Sequence, residues 1–180
     1  LTTDVVDGVG SSVGSPSVGM STATLGFSCQ TSTGTLGTAS EKIRTTNGTG
    51  TATWTLTVAP TSGATTTWTT GAITYDFNDS TGSGCSDGGD ADSVGGQMTI
   101  DPSGSTITPQ GGCSDTGISK GASTAFVQGT TDSVTLLTAG AATQTSCYWD
   151  MTGASLSQKL PSDQDTGAYN IGMTITVTAS

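Results

Sequence analysis

A chain of 180 residues fits one domain. It has no histidine, only 4 Lys and Arg, and 14 acids of which 13 are Asp, for a net charge of -10. Without imidazole, Ser-His and Cys-His nucleophiles and His-ligated zinc are excluded, and the negative charge opposes nucleic acid and anionic lipid surfaces.

Thr2 to Val6 is the first short strand, in a stretch rich in Gly, Ser and Val. Leu1, Val5, Val6 and Val9 are its apolar points, and Gly10 to Ser15 follows as a Gly/Ser linker. Residues 1–16 are therefore set apart as an extended segment, and 17–180 as the main domain. A second strand is expected over Ser17 to Gln30, on Val18, Met20, Leu25 and Phe27. Glu41 to Thr46 follows, with Ile43 central. Asn47-Gly48 predicts a hairpin turn leading to Trp54.

Thr51 to Val58 has the cleanest alternation, with Trp54, Leu56 and Val58 on one face and Thr on the other. Thr65 to Asp76 is expected as one strand through Trp68, Ile73 and Tyr75. Residues 78–96 form an Asp/Gly/Ser loop. Gln97 to Ile100 and Ser105 to Thr108 flank an Asp101-Pro102-Ser103-Gly104 turn. Thr124 to Gln128, Ser133 to Leu137, Thr145 to Thr152 and Leu156 to Leu160 complete the middle of the chain. Tyr169 to Thr178 closes it, with Ile171, Met173, Ile175 and Val177 in strict alternation.

No segment holds a helical apolar period for three turns. Apolar residues are only 32% and aromatic residues 5%, so the core must be thin. A β structure tolerates this because only one residue in two faces inward. The expected class is all-β: a single-domain antiparallel β-sandwich with Gly/Ser/Asp-rich loops and two disulfides. No apolar run reaches membrane-span length, and the start at Leu1 in a polar stretch fits a chain whose leader has been removed.

The cysteines are Cys29, Cys85, Cys113 and Cys147. An even count without C-x-x-C spacing predicts two disulfides formed in an oxidising compartment. Cys85 and Cys113 both lie in Gly-rich loops, and Cys29 and Cys147 both lie in strand-like segments. The favoured pairing is therefore Cys85–Cys113 and Cys29–Cys147.

The stretch Thr46-Asn47-Gly48-Thr49-Gly50-Thr51-Ala52-Thr53-Trp54-Thr55-Leu56-Thr57-Val58 resembles the first motif of WxL-type bacterial cell-surface domains, with Trp54 and Leu56 as the motif pair. Tyr169 to Thr178 occupies the place of the second motif and keeps its alternation, without its Trp. The whole chain also resembles secreted β-rich surface proteins. The resemblance implies an extracellular or cell-surface location, and attachment to cell-wall polymer or glycan.

Five Asp and one Asn fall within residues 76–92. Short oxygen-bearing side chains interleaved with Gly suit a hard cation. Asp76, Asn78, Asp79, Asp87, Asp90 and Asp92 form the ligand pool for calcium, and a solvated acidic loop with Asx-turns is the competing reading. A glycosidase would need its acid in an aromatic-lined apolar cleft, and three Trp, three Tyr and three Phe supply little for one. An enzyme is not expected.

Two functions remain. The first is a structural subunit that polymerises with copies of itself into a pilus-like filament or surface layer. Its joint would be β-strand addition, with Leu1 to Val9 the favoured donor; a disordered tail, or pairing within its own chain, competes with donation. The second is a glycan-binding adhesion module, in which Trp68 or Tyr148 would stack on sugars.

Overall fold

The computed structural model describes residues 1–24, 26–88 and 94–180. Fourteen strands follow in chain order: β1 (Thr2–Val6), β2 (Gln30–Leu36), β3 (Lys42–Asn47), β4 (Trp54–Pro60), β5 (Trp68–Thr70), β6 (Ile73–Tyr75), β7 (Gln97–Asp101), β8 (Thr106–Pro109), β9 (Ile118–Lys120), β10 (Thr124–Ala125), β11 (Val134–Ala139), β12 (Cys147–Thr152), β13 (Ala154–Leu160) and β14 (Met173–Ala179). Three four-stranded sheets run β1-β3-β12-β8, β10-β7-β13-β2 and β14-β4-β11-β9, and β5-β6 is a separate hairpin. All ladders are antiparallel. The all-β, sandwich-like class is therefore as expected.

One core joins the sheets. β4 buries Trp54, Leu56, Val58 and Pro60 on alternate positions. Trp54 meets Trp149 of β12 with ring centroids 5.7 Å apart. Phe77 meets Phe126 edge-on at 5.2 Å. A bulge in β11 advances the register between Thr135 and Leu137, so Leu136 and Leu137 are both buried although adjacent. Pro60 ends β4 at no cost in ladder bonds. It stands opposite Met173, beside the bonded pair Thr61–Gly172, so its missing N–H falls at a non-bonded position.

The buried polar groups are bonded in two main knots. Asp150, opposite Arg44 in the β3–β12 ladder, receives the guanidinium at 2.7 Å and 2.9 Å. The bond to Asp150 holds the Arg44 pKa above its ordinary value. Gln158, fully buried, accepts from Trp68 Nε1 at 2.9 Å and donates to the carbonyls of Asp76 at 3.0 Å and Lys159 at 2.8 Å.

Four expectations change. The strand placed over Ser17 to Gln30 begins only at Gln30. Before it, the chain touches β2 through a Met20–Gly34 bridge and a bond from Ser21 N–H to Thr33 O. Phe27 is fully exposed, and Leu25 lies outside the described residues. Gly19 and Gly26 weaken the strand tendency there, while polar β2 is held by a seven-residue ladder to β13. Thr65 to Asp76 is two strands, because Gly71 takes a φ of 62° and turns the chain back. Asn47-Gly48 carries the chain from one sheet to another and makes no hairpin: Asn47 bonds Thr49 and Thr51. Finally, residues 1–16 are no separate linker. β1 pairs with β3 of its own chain from Thr2–Thr46 to Val6–Lys42.

All four cysteines are in disulfides, but the pairing is Cys29–Cys85 and Cys113–Cys147. Ladder geometry dictates it. Cys29 precedes β2, which lies beside β13, and a Cβ on Gly84 would come within 3.0 Å of Lys159 and 2.4 Å of Gln97. The Cys85 loop is thus seated over the strands next to Cys29. Cys147 opens β12 beside β8, and Gln110 N–H bonds Tyr148 O at 3.0 Å, bringing the Cys113 turn alongside.

The loops closed by these bonds span 56 and 34 residues. In the chain-entropy model each bond is worth about 4 kcal/mol. Peptide mapping without reduction is expected to recover 29–85 and 113–147. Replacing Cys113 and Cys147 together by Ser should lower the unfolding free energy in urea by ~3–4 kcal/mol. Gln158→Ala is expected to cost ~2–4 kcal/mol in the same assay, since it strips partners from Trp68 Nε1 and Asp76 O.

Candidate functional site

Among the described residues, the three four-stranded sheets have six outer edges: β1 and β8, β10 and β2, β14 and β9. An open edge offers a row of main-chain donors and acceptors to any passing strand, so folded proteins guard it. β1 is flanked by its own returning chain, through the Val6–Ser12 bridge and a bond from Val13 N–H to Val5 O. β2 is flanked by Met20 and Ser21. β8 has four residues and ends in Pro109. β9 has three and ends in Lys120. β10 has two.

β14 has none of these guards. It is seven residues long, Met-Thr-Ile-Thr-Val-Thr-Ala, uncharged and free of Pro. Among the described residues its one ladder partner is β4, paired over its full length without a bulge, and β1 of the neighbouring sheet comes alongside it. Thr174, Thr176 and Thr178 face solvent, and Met173, Ile175 and Val177 are half-buried. Beside it opens a groove of about 930 Å³ into the space between the sheets. Ile171, Met173, Ile175, Leu36, Leu160 and Met20 are among the apolar residues that line it.

The alternation of β14 was legible in the sequence, yet it predicted only a core strand. The missed signal is that its seven residues carry no charge or proline, which becomes meaningful only once the strand is known to lie at an edge.

The proposed donor residues lie elsewhere. Val6 is buried, Leu1 and Val5 are half-buried, and Val9 is 90% exposed. The Gly10 to Ser15 stretch expected as a linker begins in a tight turn. Asp7 accepts from the N–H groups of Val9 and Ser11, both at 2.9 Å. The bond from Ser11 leads in lowering its carboxyl pKa. Trp54 and Leu56 of the WxL-like motif are fully buried in β4, and the two motif-like segments are ladder neighbours, Leu56 opposite Val177. Trp68 is buried and stacked on Tyr75 at 5.7 Å. The Arg44 guanidinium sits 4.9 Å above the ring of Tyr148.

The acidic pool divides. Asp76, Asn78 and Asp79 are buried in a strip after β6, and Asp87 is exposed. Asp90 and Asp92 lie outside the described residues. Asp76 Oδ1 accepts from Phe77 N–H at 2.7 Å, and Asp79 Oδ1 accepts from Thr81 N–H at 2.8 Å. Asn78 Nδ2 donates to Ala64 O at 3.0 Å. Among the described residues, the buried Asn78 Oδ1 and Asp79 Oδ2 oxygens find no hydrogen-bond partner. A Cβ on Gly88 would lie 2.6 Å from Asp79 Oδ1, so the carboxylate faces the 81–88 loop at close range. Among the described residues no three acids or cysteines are grouped as a metal centre. Asn47 and Asn78, each followed by a Ser or Thr two residues on, are both buried, so neither amide is presented for glycosylation in the folded chain.

Among the described residues, no helix is long and apolar enough to cross a membrane. No protein-family model, curated protein or solved structure matches the chain.

Proposed function

We propose that this protein is an extracellular structural subunit that assembles with copies of itself, by β-strand addition, into a filament or surface layer. The bare β14 edge carries the reading. Among the described residues, five of the six edges of the four-stranded sheets are short, capped or flanked, and the sixth is long, uncharged and beside an apolar groove. The two disulfides accord with it, because such bonds form and persist in oxidising compartments. Electron microscopy of the purified protein across a concentration series tests it. Ordered filaments or sheets are expected; monomers at millimolar concentration would overturn self-assembly, and closed dimers alone would overturn the filament or layer.

A calcium ion at the Asp76–Asp79 turn is the second part of the proposal. The observation favouring it is a pair of buried acceptor oxygens, Asn78 Oδ1 and Asp79 Oδ2, that have no partner among the described residues, since burying such groups unpaired is costly. At a hundredfold excess over its dissociation constant, calcium stabilises by about 2.7 kcal/mol. The melting temperature should then exceed that in chelator by roughly 5–10 °C. Asp79→Asn is expected to remove most of the difference. Identical melting curves with calcium and with chelator would dismiss the ion.

A further inference from the structure

The main-chain groups of β14 divide by parity. Thr61 N–H donates to Gly172 O at 2.9 Å and Ser180 N–H to Thr53 O at 3.2 Å. With the register Ile175 opposite Val58, even-numbered residues point their N–H and C=O at β4. Those of Met173, Ile175, Val177 and Ala179 point away from it, to the open side.

We infer that two copies join β14 to β14, antiparallel, about a two-fold axis through Thr176, merging two four-stranded sheets into one. The inference rests on the self-assembly reading above and names the surface and partner. In the register that overlaps the whole strand, Met173 stands opposite Ala179 and Ile175 opposite Val177. Each outward N–H then meets an outward C=O, as an antiparallel ladder requires. On the solvent face Thr174 meets Thr178 and Thr176 meets its own copy, giving threonine pairs. On the groove face Ile175 meets Val177, an apolar β-branched pair. The partner's Met173, Ile175 and Val177 thereby extend the apolar wall at the groove mouth.

At the strand itself charge does not oppose this occupant. Each copy carries a net charge of -10, and β14 is a surface where two copies meet without opposing carboxylates. The N-terminal strand fits less well as donor. It carries Asp4 and would have to leave a five-residue ladder with β3 and the buried site of Val6. A two-fold contact closes on itself, so growth beyond a pair uses a different surface.

Hydrogen exchange resolved to single amides tests this in the intact protein. The amides of Met173, Ile175 and Val177 are expected to slow on the order of 100-fold between dilute and assembled protein, with Thr174, Thr176 and Thr178 protected in both. Val177→Pro removes one outward donor per copy and spares the β4 ladder. It should raise the half-assembly concentration roughly 30-fold, with its melting curve as the folding control.

A photocrosslinker at solvent-facing Thr176 should link to the 173–179 peptide of the second copy. Assemblies in which the odd-numbered amides stay fast would overturn the pairing and leave self-assembly standing. Crosslinks into residues 1–13 would overturn it in favour of a donated N-terminal strand. A monomer at every concentration would remove both readings.

Discussion

The contact between Trp54 and Trp149 is the hinge of this architecture. The chain has few large apolar side chains, and two of its three Trp residues are spent where β4 meets β12. Each sits on an inner strand of a different sheet, so the contact fixes how those sheets face each other. Trp149 Nε1 also donates to Ser114 O at 2.8 Å, which ties down the turn next to Cys113. Trp54 Nε1 is buried without an acceptor, a cost of about 1–3 kcal/mol that the packing must offset. With β4 fixed by its Trp, β11 and β14 are placed on either side of it by register alone.

Scarcity of apolar residues explains the other features of the core. The bulge in β11 lets two consecutive Leu face inward, where a regular strand would send one to solvent. Gln158 and the Arg44–Asp150 pair fill interior positions that apolar side chains would occupy in a richer sequence. Satisfied polar knots of this kind specify one arrangement more than they add stability. Two disulfides supply stabilisation that the thin core lacks.

The legible part of the fold was local. β4, β12 and β14 were readable because their apolar residues alternate through β-branched or aromatic runs. β2 was not, since Gln-Thr-Ser-Thr-Gly-Thr-Leu has the composition of a turn and is a strand only because β13 lies beside it. The disulfide pairing failed for the same reason. Loop or strand character says what surrounds a cysteine, whereas pairing depends on which strands are neighbours, and no local signal encodes that. At the site, burial of Asp76, Asn78 and Asp79 was equally invisible, because an acidic run in a Gly-rich loop looks solvated until Gln158 and the Gly95–Gly96 backbone close over it.

The N-terminal stretch then acquires a different meaning from the one its composition suggested. The described residues between β1 and β2 contain no named strand, an unusual length for a connection inside a compact domain. Their contacts show what they cover. Ser12 and Val13 lie along β1, and Met20 and Ser21 lie along β2. Lys42 Nζ and Arg44 also bond the carbonyls of Gly8 and Gly10, which holds the first turn in place. One irregular segment therefore shields two sheet edges that would otherwise compete with β14 for incoming strands. A Gly/Ser-rich composition suits that task, because a guard must follow the edge closely without itself presenting a new regular one. The unshielded strand is thus defined as much by these flanking residues as by its own sequence.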